Sequence, residues 1–321
     1  MLASRFVVWM FSAGLMMVGA ELVSGQDYPS KPVRIVTSGV GGGNDFIARL
    51  IAQGIGGGSL GQPVIVDNRA SGSIPGEVVF KSPPDGYTLL VIGSSFLITP
   101  LLQNVPYDPV RDFLPITLIS TSPNVVVVHP SLPVKSLKEL IALAKAKPGE
   151  LNYASTAPGS GSHLAAELFK AVASIDIMRI NYKSTGAALI NLIGGEVHLM
   201  FPSASSASTH VKSGKLKALA VTSAKPSALA PGLPTAAASG LSGYEVVSLD
   251  LMFAPAKTPA AIINRLNQEV VRTVNTANTK QAFFDAGLET LGSSPEEAAA
   301  AIRSETTLWG KVIKDAGIRA N

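Results

Sequence analysis

Two loops of the chain join a short apolar stretch to the start of a helical pattern through residues that leave main-chain amides open. The first, GVGGGND, runs from Gly39 to Asp45 after the apolar stretch VRIVT. The second, YASTAPGSGSH, runs from Tyr153 to His163 and combines glycines with small hydroxyl residues. At such a junction free N–H groups meet the positive end of a helix dipole, so each loop predicts an anion site.

The glycines of the first loop favour binding over simple turn formation. Three adjacent glycines exceed what a tight turn between strand and helix requires. A dinucleotide fingerprint would need a glycine where Asn44 stands. Asp45 is expected to cap the helix or to complement its dipole. A shorter loop, GSSF from Gly93 to Phe96, also follows an apolar stretch. The candidate ligand-binding residues of the three loops are Gly39, Val40, Gly41, Gly42, Gly43, Asn44, Asp45, Ser94, Ser95, Ser155, Thr156, Gly159, Ser160, Gly161, Ser162 and His163.

The sequence offers little support for catalysis or metal binding. His163, at the start of a helical pattern, can donate to a ligand, although a capping or packed histidine fits that position at least as well. The four histidines lie far apart, no His-Glu-x-x-His pair occurs and there are no cysteines, so neither a metal site nor a cofactor is expected. The alternative to a binding protein is an exported hydrolase or isomerase that uses Ser160 or His163.

Length and composition predict a globular protein of two domains. The 321 residues exceed the roughly 100 to 200 that are typical of one domain. Hydrophobic residues make up 46% of the chain and charged residues 15%, which excludes a disordered protein. The net charge is +4, but the basic residues are scattered singly and aromatic residues are only 6%. Nucleic acid is therefore not an expected partner.

The first residues resemble a secretory signal peptide. Arg5 precedes an apolar run from Phe6 to Ala20, and the small-residue stretch Val23-Ser24-Gly25 follows. The alternative is a membrane anchor, but about 15 apolar residues fall short of the ~20 that span a bilayer. We predict export from the cytoplasm and cleavage near Gly25.

Along the rest of the chain, apolar strands alternate with amphipathic helical patterns. This order is typical of an α/β fold with parallel sheets covered by helices on both faces. A proline-rich segment, residues 105–130, interrupts the alternation and predicts a domain edge with a crossing strand near residues 124–128. A second alternating set follows, and residues 243–256 are expected to cross back. The stretch SPEE, from Ser294 to Glu297, predicts a capping box at the start of the last helix.

The predicted order is one lobe, a second lobe and a return to the first. The predicted divisions are a signal peptide at residues 1–25, the first part of lobe 1 at 26–123, lobe 2 at 124–246, and the return to lobe 1 with the C-terminal helices at 247–321. Two α/β lobes joined by two crossings place a cleft between them, and ligands of such sheets lie beyond the carboxyl ends of the strands. We expect the glycine-rich and serine-rich loops to face each other there and to hold a carboxylate.

Ordered motifs over nearly the whole mature chain carry a family resemblance. In chain order they are YPSKPVRIV, GGGND, LGQPVIVDNR, PPDGYTLL, PYDPVRDF, VHPSLPVKSLKELIALAKAKPG, NYAS with GSGSHL, NYKS, GKLKALAVTSAKPS and FAPAKTP. The chain resembles the substrate-binding receptors of tripartite tricarboxylate transporters, the Bug-type or TctC-like periplasmic solute receptors. The resemblance implies a two-lobed type II periplasmic-binding fold that closes on a small carboxylated solute, an organic acid or amino acid, and delivers it to membrane permease subunits. A monomer is expected, and a sensory receptor without a transport role is a further alternative.

The resemblance also extends the site and exposes one departure. Carried over by position, Tyr182, Lys183, Phe201 and Ser203 join the loop residues in the implied ligand shell. Where the family usually has Ser-Trp-aromatic-Gly before Phe-Ala-Pro-Ala, this chain has Ser-Leu-Asp-Leu, with the aspartate at position 250. A cleft-facing Asp250 would repel a polycarboxylate and instead pair with an ammonium group or accept from a hydroxyl. Strand alternation equally allows Asp250 to lie on the solvent side of the crossing strand.

Overall fold

The structure is a computed structural model that describes residues 28–56, 60–70 and 72–319, so the predicted signal peptide lies outside it. The strands are β1 Val33–Thr37, β2 Val64–Asn68, β3 Thr88–Gly93, β4 Phe113–Pro123, β5 Val125–Val128, β6 Asn152–Ser155, β7 Met178–Asn181, β8 Leu199–Met200, β9 Lys217–Val221, β10 Val247–Pro255 and β11 Glu289–Thr290. The helices are α1 Gly43–Gly56, α2 Ile74–Phe80, α3 Ser95–Leu102, α4 Leu137–Ala146, α5 Gly161–Ala173, α6 Thr185–Ile193, α7 Ala204–Lys212, α8 Ala260–Val274, α9 Ala277–Asp285 and α10 Pro295–Asp315.

Local sequence accounts for many of these elements. In α1, Ile47, Ile51 and Ile55 recur every four residues and bury one helix face. Strand β3, TLLVIG, is buried along almost its whole length, as expected of a strand covered on both faces. Helix α10 begins with the predicted capping box, in which Ser294 and Glu297 each accept a hydrogen bond from the other's main-chain N–H.

The strands form two sheets, one in each lobe. The first has the order β11-β4-β10-β3-β1-β2, in which β1 is parallel to β2 and β3, whereas β10 is antiparallel to β3 and β4. The second has the order β7-β6-β8-β5-β9, in which β6 is parallel to β7 and β8, whereas β5 is antiparallel to β8 and β9. Helices pack on both, so the molecule is a two-lobed α/β protein. Both sheets are mixed, so the expectation of parallel sheets is wrong where strands pass between the lobes.

The prolines of strand β4 explain why the sequence did not predict this strand. Its sequence, FLPITLISTSP, contains two prolines, which cannot donate to a ladder and argue against a central strand. Pro115 pairs with Phe253 of β10 beside a register shift, and Pro123 is the last residue of the strand. Such an irregularity accommodates a residue that lacks an N–H group. The eleven-residue strand β4 therefore lies between β10 and β11, which the sequence did not predict, whereas the crossing strand expected near residues 124–128 is present as β5.

The chain changes sheet twice, and one threonine contacts both crossings. It leaves the first sheet between Pro123 and Val125 and re-enters it at Val247. The buried hydroxyl of Thr222 accepts from Asn124 N–H at 2.9 Å and donates to the Val246 carbonyl at 2.6 Å. The predicted divisions after residues 123 and 246 remain a proposal, which this change of sheet supports.

Helix α10 lies across both lobes. Near its start, Ala298 and Ile302 pack with Leu251 and Phe253 of the first sheet. Near its end, Trp309, Val312 and Ile313 belong to the core of the second lobe. The helix therefore ties the two cores together on one side of the molecule. Within the described ranges, no helix combines the length and apolar character needed to cross a membrane.

We predict that Thr222→Val destabilises the protein. Valine keeps the shape of threonine but leaves the buried Asn124 N–H without its acceptor, which costs about 1–3 kcal/mol. Urea unfolding of the purified variant measures this loss. Thr307→Val, at an exposed position of α10, is the matched control and should differ from the parent by less than about 0.5 kcal/mol. Equal stability of Thr222→Val and the parent would contradict the role given to Thr222.

Candidate functional site

The glycine-rich loop is held open by Asp45 at the start of α1. Gly41 has φ +80, a conformation that favours glycine, and its N–H donates to Asp45 Oδ2 at 2.8 Å. Asp45 Oδ1 accepts from Asn68 at 2.8 Å and from Arg49 at 2.9 Å. Burial alone would raise the pKa of Asp45, but these hydrogen bonds outweigh it and lower the pKa to about 2. Asp45 is therefore buried, and both of its carboxylate oxygens accept hydrogen bonds from the protein. It shapes the loop and has no free oxygen atom for a ligand among these contacts.

The amides that follow in α1 are the groups that remain for an anion. Gly43 and Asn44 occupy the first turn, where N–H groups have no intrahelical acceptor. A Cβ atom at Gly43 would meet nothing within 4 Å, so the backbone there is open to an approaching group. Asn44 Nδ2 donates to Ser38 Oγ at 3.0 Å, so Oδ1 of the same Asn44 amide points away from Ser38.

Hydroxyl groups organise the serine-rich loop before α5. Ser160 is the N-cap, and its Oγ accepts from His163 N–H at 3.4 Å. Ser162 Oγ accepts from Thr156 N–H at 3.3 Å. Gly159 has φ +76 and packs so tightly against α3 that an added Cβ would lie 2.2 Å from Leu102 Cδ1. The first-turn amides of Gly161 and Ser162 are left as donors.

His163 is part of this scaffold and is not poised for catalysis. Its Nδ1 accepts from Gly159 N–H at 3.1 Å, so its proton lies on Nε2, which is 4.0 Å from Glu167 Oε1. Burial, assisted by the charge of Arg179, lowers the pKa of His163 to about 4 and keeps the ring neutral. Ser160 Oγ contacts main chain and Ser162, and no hydrogen bond joins it to the His163 ring among the described residues. This geometry lacks the nucleophile–base pair that a hydrolase would need.

Arg179 is a supporting residue that the sequence did not reveal. Its Nε donates to Ser155 Oγ at 2.7 Å and its Nη2 to the Thr156 carbonyl at 2.6 Å. Ser155 is fully buried, so its hydroxyl supports the loop from below and is not presented to a ligand. A lone arginine in a half-exposed strand carries no signal in the sequence.

The third predicted loop is tied to strand β10. Ser94 N–H donates to the Leu249 carbonyl at 2.7 Å, and Ser94 Oγ accepts from Leu249 N–H at 3.4 Å. Ser95 is exposed as the first residue of α3. Ser94 therefore anchors the loop and is partly buried, whereas Ser95 is exposed to solvent.

The residues added by resemblance differ in accessibility. Tyr182 is half-buried against an apolar cluster of lobe 2 that includes Ala154 and Leu189. Lys183 is exposed just before α6. Ser203 is the N-cap of α7, where its Oγ accepts from Ser206 N–H at 3.3 Å. Phe201 must be corrected: its ring is fully buried against Phe169, because the residue belongs to the core of lobe 2. We therefore remove Phe201 from the candidate contacts.

Strand β10 brings the two main loops to a common surface. A Cβ atom built on Gly161, in the serine-rich loop, would lie 3.9 Å from Ser248 Oγ. A Cβ atom built on Gly93 would lie 3.4 Å from Asn44 Oδ1, in the glycine-rich loop, and 3.6 Å from Asp250 Oδ1. Ser248 and Asp250 are two positions apart on one strand, so they share a face and lie about 7 Å from each other. The starts of α1 and α5 therefore border the same stretch of β10.

Asp250 does not lie on the solvent side of the crossing strand. It is only 9% exposed, and Ser120 of β4 donates to its Oδ2 at 2.8 Å. Burial raises the pKa of Asp250 to about 6, although the Ser120 hydrogen bond acts in the opposite direction. The sequence contains one usable signal here, because Ser248 and Asp250 share the strand period of two.

A separate cavity of about 560 Å³ opens between α7, residues 228–233 and the end of α9. Ala207, Leu229 and Phe284 are among the residues that line it. It contains none of the residues predicted from sequence. Within the described part of the chain, no cluster of three or more His, Cys, Asp or Glu residues is arranged to hold a metal ion.

Comparisons with known proteins identify similar sequences. A family model described as the tripartite tricarboxylate transporter family receptor matches residues 47–318. Protein BugT of Bordetella pertussis is 34% identical over 306 residues, which cover 94% of this chain and 94% of that protein.

Solved structures extend the similarity to the fold. An R. palustris protein, Rpa4515 with adipate, is 35% identical with a TM-score of 0.73, over 92% of this chain and 100% of that one. The periplasmic binding protein BugD is 30% identical with a TM-score of 0.69, over 92% and 100%. MatC from Rhodopseudomonas palustris, with bound malate, is 27% identical with a TM-score of 0.69, over 89% and 100%. The fold is thus that of the two-lobed periplasmic solute-binding proteins.

We predict that Asp250 makes stability depend on pH. Its pKa rises from an ordinary 3.8 to about 6 on folding, so its stabilising contribution is complete below pH 3.8 and is lost as the pH rises through 6. Between pH 4 and pH 7 the parent should lose on the order of 2 kcal/mol more stability than Asp250→Asn.

Urea unfolding at several pH values measures this difference. Asp315→Asn makes the same chemical change near the end of α10, at a side chain that is 55% exposed, and should follow the parent. Parallel pH profiles for the parent and Asp250→Asn would show that the carboxyl group is not perturbed by burial.

Proposed function

The chain belongs to the tripartite tricarboxylate transporter receptor family, and we propose that it binds a small organic carboxylate between its two lobes through main-chain amides and hydroxyl groups. Proteins of this family are solute-binding receptors and not enzymes. The family is periplasmic.

One observation carries the proposed binding mode. The first turns of α1 and α5, from different lobes, border the same face of β10, near Asp250 and Ser248 respectively. Each first turn offers N–H donors without intrahelical acceptors and the positive end of a helix dipole. A carboxylate between them would accept several of these donors at once. The adipate and malate of two solved relatives are both small carboxylates, which supports this ligand class.

The remaining parts of the proposal concern delivery and location. The description of the family supports membrane permease subunits as the partner that receives the solute, and we propose that the receptor acts as a monomer. Closure of the lobes by a hinge motion would give the permease a surface to recognise.

We propose export with cleavage near Gly25, because the apolar run from Phe6 to Ala20 is too short for a stable bilayer span. Expression of the full chain in a Gram-negative host should yield periplasmic protein whose first residue lies at or close to Gln26. N-terminal sequencing of that fraction provides the measurement. Recovery of the intact chain in the membrane fraction would contradict the proposal.

Ligand capture predicts stabilisation by small carboxylates. A ligand that binds only the folded protein raises the melting temperature by mass action. A panel of mono-, di- and tricarboxylates and amino acids at millimolar concentration, with adipate and malate included, tests this by thermal shift. No shift with any member of the panel would contradict carboxylate binding.

The role of the amides can be tested by removing single N–H donors. Gly43 and Gly161 are the first residues of their helices, where proline is well tolerated. Ser160, before Gly161, already has φ −65 and ψ 156, which a following proline favours. Gly161→Pro and Gly43→Pro should each weaken binding about tenfold or more, because a hydrogen bond to a charged group is lost.

Gly161→Ala and Gly43→Ala are matched controls that keep the N–H group. The added methyl group is uncrowded in both variants: at Gly161 its nearest neighbour is Ser248 Oγ at 3.9 Å, and at Gly43 no atom lies within 4 Å. Both alanine variants should therefore bind within about threefold of the parent. Isothermal titration calorimetry with the acid that gives the largest thermal shift measures the difference. Proline and alanine variants of equal affinity would refute amide-mediated binding.

A further inference from the structure

Three oxygen atoms lie close to the position that a Cβ atom on Gly93, at the end of β3, would take. The three nearest heavy atoms to a Cβ built there are Asn44 Oδ1 at 3.4 Å, Asp250 Oδ1 at 3.6 Å and the Leu249 carbonyl oxygen at 3.7 Å. Each comes from a different residue, and all three are hydrogen-bond acceptors. The cluster lies beside the start of α1, next to the amides proposed to hold a carboxylate.

The acceptors are fixed in place by bonds made elsewhere. Asn44 Nδ2 donates to Ser38 Oγ at 3.0 Å, so the oxygen of its amide faces Gly93. Ser120 Oγ donates to Asp250 Oδ2 at 2.8 Å, which leaves Oδ1 as the free oxygen of that carboxyl group. The Leu249 carbonyl accepts from Ser94 N–H at 2.7 Å and retains a second lone pair.

Asp250 Oδ1 has no hydrogen-bond donor among the described residues, although the residue is 91% buried, as follows from its 9% exposure. A buried carboxylate that lacks a full set of donors is costly unless a positive or donating group joins it. No side chain of the described chain provides that group at Oδ1. Oδ1 keeps contact with solvent, so the missing donor can be water or a group of a bound ligand.

We infer that the oxygen cluster of Asn44, Leu249 and Asp250 binds the protonated amine of the solute, and that the solute is an amine-bearing carboxylate. An ammonium group carries three donors and one positive charge, which match three acceptors and one carboxylate. Glycine is needed at position 93 because the side chain of any larger residue would obstruct the place where the amine is proposed to bind. This inference rests on the proposed carboxylate binding and assigns the second functional group of the same ligand.

Matched ligand pairs provide the test. Succinate and aspartate, glutarate and glutamate, and butyrate and 4-aminobutyrate each differ by one amine. In at least one pair, the amine-bearing member should bind the parent protein ten times more tightly or better. Isothermal titration calorimetry on the purified mature chain gives the affinities.

Two variants locate the effect. Asp250→Asn removes the charge, and Gly93→Ala keeps the charge but fills the space with a methyl group. That methyl group would meet its neighbours at ordinary contact distances of 3.4 Å and more, so Gly93→Ala should fold. Each variant should weaken the amine-bearing ligand about tenfold or more. The amine-free counterpart should stay within about threefold in Gly93→Ala and should bind Asp250→Asn at least as tightly as the parent, because a repelling charge is removed. Asp315→Asn, at an exposed side chain that pairs with Lys311, is the control and should bind like the parent.

The outcomes separate this inference from the proposed function. If no carboxylate binds the parent, the proposed function itself fails. If amine-free acids bind as tightly as their amine-bearing counterparts, or if both cleft variants retain the parent's preference, carboxylate binding stands and the amine site is wrong. Stabilisation by calcium or sodium chloride alone that Asp250→Asn abolishes would assign the cluster to a metal cation and would also overturn the inference. Circular dichroism verifies that each variant is folded. If Asp250→Asn does not fold, the affinities of Gly93→Ala decide between these outcomes.

Discussion

The register of strand β10 is the constraint on which the candidate site depends. Its antiparallel pairing sets Asp250 opposite Gly93 of β3 on one side and opposite Ser120 of β4 on the other. A slip by one residue would turn Ser248 and Asp250 to the opposite face, away from the starts of α1 and α5. Leu249, Leu251 and Phe253 oppose such a slip, because they are buried in the core on that opposite face. The hydrophobic pattern that folds the strand therefore also positions its polar residues.

Two aspartates near the start of α1 illustrate how hydrogen bonding decides the state of a buried carboxyl group. Asp45 is surrounded by donors from Gly41, Asn68 and Arg49, and its pKa falls to about 2. Among the described residues, Ser120 is the one side-chain donor to Asp250, and burial raises the pKa of Asp250 to about 6. Asp45 has hydrogen-bond donors at both carboxylate oxygens and shapes the glycine-rich loop. Asp250 is incompletely satisfied, which is typical of a group that meets a ligand.

The two lobes are connected by more than the crossing strands. Helix α10 packs on the first sheet through Ala298 and enters the core of the second lobe through Trp309. In addition, Glu289 of β11 accepts from Ser227 Oγ at 2.6 Å, across the boundary between the sheets. A hinge motion around residues 124 and 246 must therefore change the packing of α10 and the contacts of Glu289. In the proposed hinge motion, these contacts would limit how freely the cleft opens and closes.

The sequence by itself determined the local elements and the nature of the loops. The glycines after VRIVT, the serines before α5 and the capping box at Ser294 act within a few residues, so their spacing was sufficient to predict strand, loop and helix start. Tertiary structure alone decided that Pro115 lies in a long strand, that Phe201 faces a core and that Asp250 is buried beside Asn44. Each of these depends on a partner from a different element of the fold, as in the pairing of Pro115 with Phe253. A linear pattern contains no information on which distant strand supplies hydrogen-bond donors to a buried carboxylate. The number of these donors distinguishes a structural aspartate from one that can bind a ligand.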